Sequence, residues 1–137
     1  MTAYSFQPRF VDPILSGRKR QTIRAVGKRR HAKPGGPVEL YTGMRTKACR
    51  LVGRATCTEV LAIELHPGTK PYVLLQDAAS RGSIAPISGR DALDKFARSD
   101  GFEDWEAMSL FWLKNHGMAA RRWSGLLITW RDLEPAL

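Results

Sequence analysis

Apolar and polar positions alternate with a period of two through much of the first half of the chain and take a helical period in the second. Asp12-Pro13 reads as an N-cap followed by a first helical residue, and Gly17 as a terminator, which predicts a short helix over residues 13–16. Residues 20–24 read as a strand with Ile23 on one face and Thr22 and Arg24 on the other. The stretch GKRRHAKPGG, residues 27–36, is a predicted loop by its Gly and Pro content. Residues 38–42 alternate again, Val38 and Leu40 against Glu39 and Tyr41. Gly43 marks a turn ahead of a long strand over 48–65, and another strand follows over 72–76.

The chain then changes period. Residues 88–98 predict a helix with Leu93, Phe96 and Ala97 on one side. Asp100-Gly101 interrupts it, and Asp100 reads as the N-cap of a second helix over 103–115. That helix carries Trp105, Met108, Phe111 and Trp112 on a broad apolar stripe, acids in its first turn, and Gly117 as its end. A last strand over 123–131 sets Ser124, Leu126, Ile128 and Trp130 against Trp123, Gly125, Leu127 and Thr129. Many strands with two adjacent helices late in the chain predict an α+β fold, a small mixed β-barrel with flanking helices, in one domain over 1–137.

Composition narrows the picture. At 43% hydrophobic and 26% charged, the 137 residues match a soluble globular protein. No apolar run approaches the roughly 20 residues that span a bilayer. The start, MTAYSFQPRF, has no apolar core of a secretion signal, so no membrane partner and a cytoplasmic location are expected. Cys49 and Cys57 are too few for a disulfide framework or zinc site and read as small buried strand residues. Charge is one-sided. The first 54 residues hold 13 of the 22 Lys and Arg but only two acids, Asp12 and Glu39. That segment is +11 and the rest −2, for a net +9, the signature of a surface that meets polyphosphate.

Candidate chemistry concentrates in GRKRQTIR, residues 17–24, and LYTGMRTK, residues 40–47. Gly17 would end a helix and turn backbone amides toward an anion, with Arg18, Lys19 and Arg24 beside it. Strand alternation allows Thr22, Arg24 and Tyr41 to share a concave face. A hydroxyl near a partly desolvated lysine can be activated as a nucleophile. Spacing alone favours the plainer alternative, a Lys19 that contacts phosphate and a Thr22 that is an ordinary strand residue. His31 sits in the basic loop within reach of phosphate; His66 and His116 read as turn and helix-end residues, and the three share no metal-ligand spacing. Trp123, beside Arg121 and Arg122, could stack on a base.

GRKRQTIR after a short helix, then HAKPGGPVELYTGMRTK, then DGF before a helix, resembles the ASCH domain of the PUA-like superfamily from Phe6 to about Trp130. The resemblance implies a small PUA-like β-barrel with a basic cleft suited to RNA or a modified nucleoside. It implies two activities. In small amidohydrolases of N4-acetylcytidine, a Lys, a Thr three residues on and a downstream acid are catalytic, which places these roles on Lys19, Thr22 and Asp100. Here the acid is an Asp rather than a Glu, and Ala25 stands where those enzymes have an acid. In longer ribonucleolytic members a Tyr, a Lys six residues on and a late Ser are implicated, giving Tyr41, Lys47 and Ser124. The longer chain and the YTGMRTK match favour a ribonuclease first, the amidohydrolase second, and a non-catalytic RNA-binding module third. The RNA contacts expected are Arg18, Lys19, Arg24, Lys28, Arg29, Arg30, His31, Lys33, Arg45 and Lys47. No cofactor is evident. A divalent metal could assist RNA cleavage, though no clustered carboxylates are visible to hold one. Oligomeric state is not legible.

Overall fold

In the computed structural model, residues 2–77, 83–116 and 122–137 are described. Strand β1 (Thr2–Phe6) leads through a 3-10 turn (Pro8–Phe10) into helix α1 (Val11–Leu15). Strands β2 (Gln21–Arg24), β3 (Pro37–Thr42), β4 (Arg50–His66), β5 (Tyr72–Asp77) and β6 (Ser83–Ser88) follow. Helices α2 (Arg90–Ser99) and α3 (Trp105–His116) precede the last strand, β7 (Trp123–Pro135). The fold is mixed α+β: among the described residues, one seven-stranded sheet with three short helices.

The 17-residue β4 is the axis of the sheet. On one side β3 flanks its first half, Pro37 opposite Thr56 and Thr42 opposite Arg50. β5 flanks its second half on that side, from Leu61 opposite Asp77 to His66 opposite Tyr72. On the other side β7 runs antiparallel along most of it, from Gly53 opposite Pro135 to Leu65 opposite Trp123, with two register shifts. Such shifts bend a strand and raise its twist. β1 adds to β3 in parallel, and β2 adds to β7. Each is therefore paired on one side only, and no ladder joins β1 to β2 among the described residues. The two edges approach through a side chain: Arg24 Nη2 donates to the Ser5 carbonyl at 2.7 Å.

Two strands were not legible from the periodicity. β6 contains Pro86, which argues against a strand, yet among the described residues β6 pairs only with β5, and an edge strand tolerates proline. β1 is five residues long and finds its partner more than thirty residues away. The helices follow the expected stripes, with Leu93, Phe96 and Ala97 buried on α2, and Met108 and Trp112 on α3. Their caps differ from expectation. Asp100 closes α2, its N–H donating to the Phe96 and Ala97 carbonyls, and does not begin α3. Asp104 takes that role, accepting from the Ala107 N–H at 2.8 Å. Asp12 lies inside α1 without capping it, because the preceding 3-10 turn runs straight into the helix. Cys57 is buried as expected; Cys49 is exposed, since β4 begins one residue later. Among the described residues no helix is long and apolar enough to cross a membrane. Gly117 and Arg121 lie outside the described residues.

Candidate active site

Two chain reversals bring distant residues together. At the end of α1, Gly17 adopts φ +81°, its N–H donates to the Ile14 carbonyl at 3.1 Å, and the Lys19 N–H donates to Pro13 at 2.9 Å. These amides are thus bonded to their own helix, and the expected anion site at Gly17 is not formed: a helix C-terminus presents carbonyls. What the turn does instead is aim Lys19 inward. At the end of α2, Gly101 adopts φ +98°, and a Cβ there would lie 2.9 Å from Lys19 Cδ and 3.0 Å from Phe10 Cδ1. Glycine is needed both for the backbone conformation and for the lysine stem beside it. Phe102 then packs edge-on against Phe10, with ring centroids 5.4 Å apart, and tilted against Phe111 at 5.1 Å. The DGF triplet is accordingly one device: Asp100 closes a helix, Gly101 makes room and Phe102 anchors.

Lys19 is 3% exposed. Its Nζ donates to the Asp100 backbone carbonyl at 2.5 Å and sits 3.8 Å from Asp100 Oδ1. It also lies over the Phe10 and Phe6 rings, 4.8 and 5.3 Å from their centroids. Burial disfavours the ammonium and lowers Lys19 from its ordinary 10.5 to about 8, against the opposing pull of Asp100. Burial likewise pushes the Asp100 carboxyl up, opposed by Lys19 and by Gln21, whose Nε2 reaches Asp100 Oδ1 at 3.4 Å. Both members of the pair are biased toward their neutral forms. Thr22 is also buried, and its Oγ1 accepts from Arg24 Nε at 2.9 Å. That leaves the hydroxyl proton free to be given elsewhere. Arg24 itself is pinned by Ser5 and by the Phe6 and Tyr4 rings at 4.9 and 5.2 Å.

Lys19, Thr22, Arg24 and Asp100 all line one cleft of about 460 Å³, within the range of small-molecule sites. Its floor includes Ile23 and Ala25 of the β2 edge and Ser5 and Phe6 of the β1 edge. Its wall is aromatic: Phe10, Phe102, Phe111, Trp112 and Trp123, with His116 stacked on Trp112 at 4.4 Å. Arg9 lies over Phe10, Phe102 and Phe111.

The other expected residues go elsewhere. Tyr41 is half-buried on β3 and Lys47 is exposed in the turn before β4; neither lines the cleft. Ser124 is exposed rather than buried and lines a separate groove with Val26, Glu64 and Gln76. Tyr41 is in register with Leu51 and Ser124 with Glu64, so roughly 40 Å of strand at ~3.3 Å per residue lies between them. The three do not form one site.

Of the expected RNA contacts, Arg18, Lys28, Arg29, Arg30, Lys33, Arg45 and Lys47 are exposed. Arg18 reaches the Gly101 carbonyl at 3.4 Å, and Arg29 donates to the Ala3 carbonyl. His31 is a structural tie. Its Nε2 contacts the Ala25 and Val26 carbonyls at 3.1 and 3.0 Å, so that nitrogen carries the proton and Nδ1 accepts from the Tyr4 hydroxyl at 3.0 Å. Among the described residues no group of three His, Cys, Asp or Glu side chains is placed to hold a metal ion.

Gln21, which bonds Asp100, and Arg9, which lies over Phe10, Phe102 and Phe111, had no signal in the spacing, because their partners come from distant parts of the chain. No family model matches the chain, and no curated protein or solved structure matches it either.

Proposed function

We propose that the cleft hydrolyses the amide of an N-acylated pyrimidine nucleoside, with N4-acetylcytidine as the concrete substrate, on an ASCH-type scaffold whose strands approach a PUA-like barrel. The observation that supports this reading is the burial of Lys19 against Asp100, 81 residues apart in sequence, on the same cleft as Thr22. A lysine at about 8 has a substantial neutral fraction near neutral pH and can act as a base. In the first step the Lys19 amine takes the Thr22 hydroxyl proton as Oγ1 bonds to the acyl carbon, and the carbonyl π pair moves onto oxygen. The tetrahedral centre collapses, the C–N bond breaks, and the departing exocyclic nitrogen takes the proton from Lys19. Water then attacks the Thr22 ester, giving a proton to Lys19; the Oγ1–acyl bond breaks as the Lys19 ammonium returns that proton to Oγ1, and the acetic acid released loses its proton to solvent. The short bond to Lys19 comes from the Asp100 backbone carbonyl, so the shorter carboxylate is not required to reach it. Arg24 fixes the Thr22 rotamer, and the aromatic wall accepts the base.

Lys19→Ala and Thr22→Ala should each lower acetate release from N4-acetylcytidine by roughly 10²-fold or more. A wild-type protein that leaves this nucleoside intact over hours would rule the reading out.

A second reading, favoured by the one-sided charge, is RNA binding through the exposed cations of residues 28–33. That loop is held beside the cleft mouth by His31 on Ala25 and Val26.

A further inference from the structure

We infer that the backbone N–H of Ile23 receives the oxyanion formed on the substrate's acyl oxygen; this rests on the amide-hydrolase reading above. The strand ladder points to it. β2 pairs antiparallel with β7, Gln21 opposite Thr129 and Ile23 opposite Leu127. The Trp130 N–H donates to the Arg20 carbonyl at 3.1 Å, which makes Gln21–Thr129 a non-hydrogen-bonded pair. By alternation Thr22 and Arg24 turn their backbone groups to β7, while Ile23 turns its N–H and C=O outward from the free edge.

That edge faces the cleft, and Ile23 lines it. The opposite edge is already occupied: the Ala3 and Ser5 carbonyls of β1 take Arg29 and Arg24. β2 has no ladder partner on that side among the described residues, so no strand ladder uses the Ile23 N–H at the cleft. Its chain position gives it the matching role. The donor belongs to the residue directly after Thr22, and a backbone N–H next to the nucleophile is where acyl-transfer sites place an oxyanion donor. When Thr22 Oγ1 bonds to the acyl carbon, the carbonyl oxygen gains its electron pair within reach of this N–H. Arg24 is committed elsewhere, its Nε to Thr22 and its Nη2 to Ser5.

The test replaces residue 23 by the α-hydroxy analogue of isoleucine, exchanging one amide N–H for an ester oxygen and leaving the side chain unchanged. The same exchange at Thr22, whose N–H lies in the ladder, is the structural control. The expected result at position 23 is a fall in kcat for acetate release from N4-acetylcytidine of roughly 10²–10³-fold, with KM little changed. Its Tm should stay above that of the position-22 ester. Wild-type kcat in the position-23 ester overturns the inference, as does a position-23 ester that unfolds, because the N–H would then belong to the ladder. Thr22→Ala run in parallel separates the two levels. If it releases acetate at the wild-type rate, the hydrolase reading itself is lost; if it is inactive while the position-23 ester is fully active, only the Ile23 role is lost.

Discussion

Lys19 shows how burial changes a single cation. Its environment offers one short backbone bond, a carboxylate at 3.8 Å and two aromatic faces, with almost no water. Removing a charge from water is costly and the partners return only part of that cost, so the amine is pushed toward its neutral, basic form. The same crowding makes Gly101 the most sensitive neighbour. Gly101→Ala sets a methyl group against Lys19 Cδ and Phe10 at a φ of +98°. Left-handed backbone alone costs an L-residue roughly 1–2 kcal/mol. Thermal melting should show a Tm lowered by roughly 4–10 °C, and the variant should lose acetate release because the lysine stem is displaced. A variant with unchanged Tm and activity would mean that Gly101 does not shape the site.

At the scale of elements, the strands and helices that periodicity can register were legible and the ones that depend on distant partners were not. The alternation of Val38 and Leu40 and the stripe of Leu93, Phe96 and Ala97 report burial directly. β6 was masked by Pro86, and β1 was too short to stand apart from its surroundings. The site followed the same rule. Lys19, Thr22 and Asp100 could each be singled out, but their meeting depends on the end of α2 folding back on the end of α1, where Arg20 N–H bonds the Ser99 carbonyl. Asp100 was misplaced as an N-cap because an Asp before Gly fits both ends of a helix. Tyr41 and Ser124 were grouped by the family resemblance, and the register along β4 separates them.

The loop over 27–36 is also governed by a long-range contact. Tyr4 OH donates to His31 and accepts from the Ala32 N–H at 3.2 Å, while Arg29 lies over the Tyr4 ring. Tyr4→Phe removes both hydroxyl bonds and keeps the ring in the core. Hydrogen exchange of amides 28–33 should accelerate in that variant while exchange in β4 stays as in the wild type. Unchanged protection of the loop would show that the hydroxyl does not hold it.

Over the whole molecule, buried and exposed cations occupy distinct places. Lys19 and Arg24 are committed to internal partners in the cleft, whereas Lys28, Arg30 and Lys33 are exposed on the loop beside it. If the loop contacts phosphate, affinity for single-stranded RNA should fall steeply as salt rises from 50 to 200 mM, with a slope of about −0.7 per phosphate engaged. Neutralising Lys28, Arg30 and Lys33 should flatten that slope without changing hydrolysis of the free nucleoside. A slope that survives the substitutions would move RNA contact to another surface.

The most direct measurement is kcat/KM for acetate release from N4-acetylcytidine as a function of pH. A base must be unprotonated to accept the Thr22 proton, so the rate should climb as pH rises and level off above a midpoint near 8, the value burial imposes on Lys19. The ascending limb should vanish in Lys19→Ala. A rate independent of pH between 6 and 10, or an ascending limb that persists without Lys19, would contradict the role of the buried lysine as the base of this cleft.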